Sequence, residues 1–265
     1  MLYRLGFIGL GVMGGAILGR VVSENVLPVN EIAAFDAMEE KRAAFSLKGV
    51  SMLSSAEEVL RKCDVVFLAV KPQNYREILE NADTRARTVV SIMAGVRIET
   101  LRGMLPQRTG VARIMPNTPC SVGKGASAVC FDCVQAEDKK LVQDILSATG
   151  VYIETAENHF DAVTSISGSG PAYVYMFINA LVKAGTEGGL SPEDSKRLAL
   201  MTVEGSAAYA AKADFGLDEL TERVCSKGGT TIEAVEVFRK RGLFEIVSEA
   251  VKACREKSEL LSKKL

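Results

Sequence analysis

Residues 5 to 14 constrain this chain more than any other stretch. The apolar run Leu5-Gly6-Phe7-Ile8 passes directly into Gly9-Leu10-Gly11-Val12-Met13-Gly14. That is the pattern of a buried strand, a tight glycine turn and a helix, which the periodicity carries from Val12 to Ser23. Each glycine has a physical role. Gly9 turns the chain sharply, Gly11 lets a ligand approach the backbone, and Gly14 lets the helix pack closely on the strand. The helix start then offers unpaired N–H groups and partial positive charge, a setting suited to a pyrophosphate. Ile8, Gly9, Leu10, Gly11, Val12, Met13 and Gly14 are therefore candidate dinucleotide-binding residues.

Glycine turns are common, so the motif needs its context. A second apolar strand, Ile32-Ala33-Ala34-Phe35-Asp36, ends in an acid about 20 residues past the glycines, where a ribose-binding carboxylate belongs. The competing reading is a structural strand–turn–helix in which Asp36 is incidental. Strand and helix signals go on alternating: a helix over Met38–Leu47, a short strand over Val50–Leu53, and a helix capped by Ser54 or Ser55. Asp64–Val70 is apolar almost throughout, as in a strand covered on both faces. Strands are expected at Thr88–Ala94, Gly110–Met115, Ala126–Phe131 and Val151–Glu154, with a helix over Ala136–Ala148 before the last. Ligands of open α/β sheets bind outside the carboxyl ends of the strands. The turns Ala69-Val70-Lys71-Pro72, Met93-Ala94-Gly95 and the one after Met115 are thus expected walls of the cofactor site.

Composition narrows the class. The 265 residues are 48% hydrophobic and 25% charged with a net charge of −1, which leaves no electrostatic footprint for nucleic acid or an anionic membrane. No apolar run approaches the roughly 20 residues of a membrane span. The chain opens on a strand, so no signal peptide is expected, and a cytoplasmic location is the expectation. Of the six cysteines, Cys130 and Cys133 have C-x-x-C spacing, but no second pair exists and His159 is the only histidine. Reduced thiols are the simpler reading, and no metal is expected.

After about Thr155 the pattern turns wholly helical. We therefore divide the chain into a dinucleotide-binding domain, 1–155, and an all-α domain, 156–265. Phe160–Ser167 reads as helix interrupted at Gly168-Ser169-Gly170-Pro171. Ala172–Ala184 is apolar nearly all round, more than a small domain can cover, so a second subunit is expected to cover it. Ser191 caps a helix starting at Pro192 and running to about Ala211. The last helices start near Thr231 and Leu243, and a charged tail, 255–265, follows. Cys225-Ser226-Lys227-Gly228-Gly229-Thr230-Thr231 places two glycines and two threonines at a helix start. Such a nest binds a carboxylate or phosphate, although a plain helix cap would read the same.

Taken together, these residues resemble the pyrroline-5-carboxylate reductase family. The matching pieces are FIGLGVMG at the start, VVFLAVKPQ at 65–73, SIMAGV at 91–96, MPNTP at 115–119, DAVTSISGSGPAYV at 161–174 and GGTT at 228–231. They occur in the family's order across almost the whole chain. The resemblance implies an α/β fold, an N-terminal Rossmann-type doubly wound sheet followed by an all-helical dimerisation domain. It implies a homodimer or higher homo-oligomer with a site shared between subunits. It also implies reduction of Δ1-pyrroline-5-carboxylate to L-proline, the last step of proline biosynthesis. By the same resemblance Ser226, Gly228, Gly229, Thr230 and Thr231 bind the substrate, and Thr231 sits near the ring nitrogen as the catalytic residue. Lys227 stands where the family usually has proline.

Two alternatives make different demands. A β-hydroxyacid dehydrogenase shares the glycine opening but needs a lysine on the helix beginning the second domain, and none occurs here before Lys183. A nucleotide-sensing dimer would have no need of a substrate nest. Either NADH or NADPH serves the family. Asp36 would repel a 2′-phosphate, so NADH is the expected preference.

Overall fold

A computed structural model describes residues 2–80 and 82–263. It divides into two compact units, Met1–Ser169 with Cys254–Leu265, and Gly170–Ala253. In the first unit, eight strands form one sheet in the order β3-β2-β1-β4-β5-β6-β7-β8. They are β1 (Tyr3–Ile8), β2 (Ile32–Phe35), β3 (Ser51–Met52), β4 (Cys63–Leu68), β5 (Thr88–Ser91), β6 (Gly110–Met115), β7 (Gly125–Asp132) and β8 (Gly150–Glu154). The first six run parallel. β7 is antiparallel to β6, and β8 is parallel to β7. The chain leaves β1 toward β2 and β3, then returns to the other side of β1 with β4, so the order reverses between β1 and β4. This is the doubly wound, Rossmann-type arrangement.

The helices on this sheet are α1 (Val12–Ser23), α2 (Glu39–Ser46), α3 (Ala56–Lys62), α4 (Tyr75–Leu79), α5 (Ile98–Arg102) and α6 (Ala136–Thr149). Side chains alternate along each strand, and β1, β4, β5 and β6 are buried on both faces over most of their length. Val65 and Phe67 of β4 join a core with Phe7, Ile17 and Leu18 of the α1 side. Val66 and Leu68 join the opposite core with Leu60, Tyr75 and Leu101. Phe7 and Phe67 stack at 4.8 Å between ring centroids. Ser55 is the cap of α3: its hydroxyl accepts from Glu58 N–H at 3.1 Å. The Glu58 carboxylate pairs with Lys62 and accepts from Ser54 N–H and hydroxyl, and these, Lys62 foremost, hold its pKa down at about 2.

Several boundaries differ from the sequence expectation. β5 stops at Ser91, three residues before Ala94, because the Ser91 hydroxyl takes Met93 N–H at 3.3 Å and the chain turns at Gly95 with φ +79°. β4 stops at Leu68, ahead of Val70. The interruption near Gly168 is a π-helical turn, Thr164–Gly168, that continues α7 (Phe160–Val163) and passes into α8 (Gly170–Glu187). Pro171 sits at the second position of α8, where its missing N–H costs nothing. The expected charged tail is helical as far as Ser262. Its end, Lys264 and Leu265, lies outside the described residues.

The second unit holds α8, α9 (Pro192–Ala210), α10 (Leu217–Val224), α11 (Thr230–Lys240) and the start of α12 (Leu243–Ser262). α8 and α9 pack closely through small residues: a Cβ on Gly185 would lie 2.9 Å from Ser195 Oγ. α8 ends in a 6→1 and 5→2 pair of bonds, Leu190 N–H to Gly185 C=O (3.1 Å) and Gly189 N–H to Thr186 C=O (3.0 Å). Gly189 is left-handed at φ +97°, as that motif requires. No residue of α8 is buried by the described residues. Tyr175 is 59% exposed and Met176 73%. Among the described residues no helix is long and apolar enough to cross a membrane.

Candidate active site

The sheet reverses its winding at β1 and β4, and a cleft of about 690 Å³ opens at their carboxyl ends. Ile8, Gly9, Gly11, Asp36, Ala69, Val70 and Lys71 line it. The three glycines of the turn differ in what surrounds them. Gly9 has φ +95°, and a Cβ there would lie 2.6 Å from Ala69 O. A Cβ on Gly14 would drive into the Gly9 carbonyl and lie 2.7 Å from Ala69 Cβ, so glycine is what allows α1 to approach β4. At Gly11 a Cβ would meet nothing within 4 Å. The chain itself does not fill that space, and a ligand can. Gly11 is also the N-cap of α1 and provides no side-chain cap, so the first N–H groups of the helix are left to a ligand. The cleft therefore fits a dinucleotide pyrophosphate.

Asp36 is 8% exposed and already bonded to backbone. Its Oδ2 accepts from Leu10 N–H at 2.6 Å and its Oδ1 from Met38 N–H at 2.9 Å. Gly9 N–H donates to Phe35 C=O at 2.8 Å, so two bonds tie the glycine turn to the end of β2. Lys41 Nζ lies 3.8 Å from Asp36 Oδ2, while Arg42 donates to the carbonyls of Asp36 and Ala37. The cleft lining carries three carboxylates, Asp36, Glu57 and Glu77, against two ammonium groups, Lys41 and Lys71.

The other expected cofactor residues lie beside the cleft, outside its lining. Leu10 and Gly14 are buried in the turn, Met13 is half-buried and Val12 is 80% exposed. Pro72 follows Lys71 in a turn closed by Asn74 N–H to Lys71 C=O at 2.9 Å. In the β5 loop, Ala94 is exposed between the buried Met93 and Gly95. Ser55, Asn74 and Ile78 line the cleft although no motif pointed to them. Position at a strand's carboxyl end was the available signal for Ser55, which follows β3.

The nest belongs to the second unit. Ser226 C=O accepts from Gly229 N–H at 3.0 Å around a turn in which Gly228 has φ +74°. The Ser226 hydroxyl occupies the space a Cβ on Gly229 would need. Gly229 caps α11 with no side-chain bond, leaving the N–H groups of Thr230 and Thr231 at the helix start. Thr230 is exposed and Thr231 half-buried.

The cysteines are all free. Burial pushes the Cys63 thiol up to about 12 and raises Cys120, and burial followed by the Glu157 charge raises Cys130. Raised thiol pKa values disfavour the thiolate that redox or metal chemistry uses.

Glycine turn, switch-point cleft and mostly parallel sheet together define a dinucleotide-binding protein of the Rossmann type. Comparison with known proteins narrows the class. Residues 4–95 match a family described as NADP oxidoreductase, coenzyme F420-dependent, and residues 157–261 match one described as pyrroline-5-carboxylate reductase dimerisation. Pyrroline-5-carboxylate reductase of Aquifex aeolicus (strain VF5) is 34% identical, with 97% of each chain covered. That of Escherichia coli (strain K12) is 37% identical over 98% of each. The crystal structure of Plasmodium falciparum pyrroline carboxylate reductase with NADP bound is 35% identical and superposes with a TM-score of 0.89, covering 98% of both chains. The chain belongs to the pyrroline-5-carboxylate reductase family.

Proposed function

We infer that the chain reduces Δ1-pyrroline-5-carboxylate to L-proline, the last step of proline biosynthesis. The observation that carries this reading is similarity to pyrroline-5-carboxylate reductases over almost the full length of the chain. Reduced nicotinamide supplies the hydride to the C=N carbon. The protein's own work is to align that carbon and exclude water, because a protonated imine is already a good electrophile. Ile8 to Gly14, Asp36, Ala69 to Pro72 and Met93 to Gly95 hold the cofactor. Ser226, Gly228, Gly229 and Thr230 hold the substrate carboxylate through the donors of the α11 start. Thr231 orients the ring nitrogen. The division of labour follows the notional domains 1–155 and 156–265, and the working protein is a homodimer or higher homo-oligomer. The family's dimerisation match and the exposed apolar side chains of α8 support that assembly. The free thiols, Cys63 and Cys120 buried in the core among them, fit a reducing cytoplasm.

NADH is the preferred cofactor. Three carboxylates line the cleft against two ammonium groups, and Arg42 is spent on backbone carbonyls, so a 2′-phosphate meets net repulsion. Absorbance assays with Δ1-pyrroline-5-carboxylate should show NADH oxidation, with kcat/KM higher for NADH than for NADPH. No turnover with either cofactor would overturn the function, and an NADPH preference would overturn the charge argument. Thr231→Ala should lower kcat by about 5- to 150-fold, the range for losing one hydrogen bond to a reacting group. NADH affinity should change little, and an unchanged rate in a folded variant would remove Thr231 from the mechanism.

A further inference from the structure

Glu157 belongs to no motif and lies outside both candidate ligand sites, yet one of its oxygens joins two segments of the first unit. Its Oε1 accepts from Ile98 N–H at 2.8 Å and from Arg113 Nη1 at 2.8 Å. Ile98 is the first residue of α5, and the preceding cap position, Arg97, contributes no side-chain bond. The donor that Glu157 satisfies is thus one the helix leaves open, reached from 59 residues away. Arg113 is 5% exposed in the middle of β6 and needs a counter-charge there. Its guanidinium also lies 4.6 Å from the ring centroid of Phe160, which opens α7.

The segment pinned in this way is the β5 loop. Met93 is held at one end by the Ser91 hydroxyl, and Ile98 at the other by Glu157. Between them the chain turns through Gly95 and exposes Ala94. We propose that Glu157 is a positioning residue that fixes the β5 loop against β6, and so sets where Met93, Ala94 and Gly95 meet the nicotinamide. This rests on our placing those three residues at the cofactor.

Glu157 is both the acceptor for Ile98 N–H and the counter-charge of Arg113. Both donors use the same oxygen, so a neutral amide oxygen can keep both bonds while the counter-charge is lost. Glu157→Gln should therefore lose less function than Glu157→Ala. For Glu157→Ala we expect kcat/KM for NADH to fall about 10- to 100-fold. KM for Δ1-pyrroline-5-carboxylate should stay within about twofold, since its binding does not use this loop. Fluorescence titration with NADH should show the same loss of affinity without substrate. Hydrogen exchange of the cofactor-free enzyme should speed up at residues 93–98 in Glu157→Ala and by clearly less in Glu157→Gln. Ile98→Pro is an independent variant, because it deletes the donor N–H without touching Glu157 or Arg113, at a first helical position where proline is accepted and Arg97 is already extended, although it also trims a buried apolar side chain. It should reproduce the loss even where Glu157→Ala fails to accumulate.

Native NADH affinity and native exchange at 93–98 in either deletion variant would overturn the proposal. So would equal losses in Glu157→Gln and Glu157→Ala, which would assign the effect to charge. Faster exchange at 93–98 in a protein that does not turn over Δ1-pyrroline-5-carboxylate would support the anchor and sink the proposed function alone.

Discussion

Gly14→Ala is expected to lose NADH binding by at least about 100-fold and to lower the melting temperature, because α1 must move away from the sheet to make room for one methyl group. The methyl would run into the Gly9 carbonyl and the Ala69 side chain, neither of which is the free end of a flexible side chain. Moving α1 carries its N–H groups away from the pyrophosphate, so binding and stability fall together. Gly11→Ala is the informative control. Its methyl meets nothing within 4 Å in the chain, so the variant should melt like the unmodified protein while binding NADH more weakly. Calorimetry and NADH fluorescence read both quantities. A Gly14→Ala protein with native melting and native affinity would show that close packing of α1 on the strands is not what the third glycine provides.

The second large effect concerns assembly. Met176→Glu should convert the protein to a monomer of about 28 kDa at micromolar concentration, with loss of activity but retained helix content. Val174, Tyr175, Met176 and Phe177 are between 43% and 73% exposed within one chain, an apolar run that the second unit does not cover. A carboxylate buried there without a partner costs several kcal/mol, enough to shift a dimer's dissociation constant by more than about 100-fold. Light scattering checks the mass. A fully active monomer, in either the native or the substituted protein, would remove the apolar run of α8 from any interface.

The parts of the fold that were readable in sequence are those where one local rule decides the structure. The end of β1 and both ends of α1 could be placed to the residue because an apolar strand, three glycines of fixed spacing and a helical stripe all agree there, while β1 begins two residues ahead of the apolar run, at Tyr3. β6 was equally clear, since Gly110 and Pro116 bracket it. β5 was overextended because Ile92 and Met93 are as apolar as a strand requires; what ends the strand is the Ser91 hydroxyl, a local competition that composition does not reveal. α10 escaped notice because Asp218-Glu219 and Glu222-Arg223 mask a stripe of only Leu217, Leu220 and Val224. In the site, the glycines and Asp36 announced themselves through spacing. Arg113 and Glu157 did not, since a bond spanning 44 residues leaves no periodic trace. The nest residues were legible as a helix start, and their substrate role came from resemblance.

Asp36 carries a consequence for how cofactor choice can drift over evolution. Its two oxygens hold the Leu10 and Met38 amides, so the same atoms that disfavour a phosphate also shape the turn receiving the pyrophosphate. Exchanging this carboxylate in one step removes support that both cofactors share, and the intermediate is poor with either. A lineage moving toward phosphorylated dinucleotides would fare better by changing neighbours that carry no such duty, such as Ala37 or Glu57 on the cleft wall. The acid at the end of β2 is thus tied to its place by mechanical necessity as much as by cofactor choice.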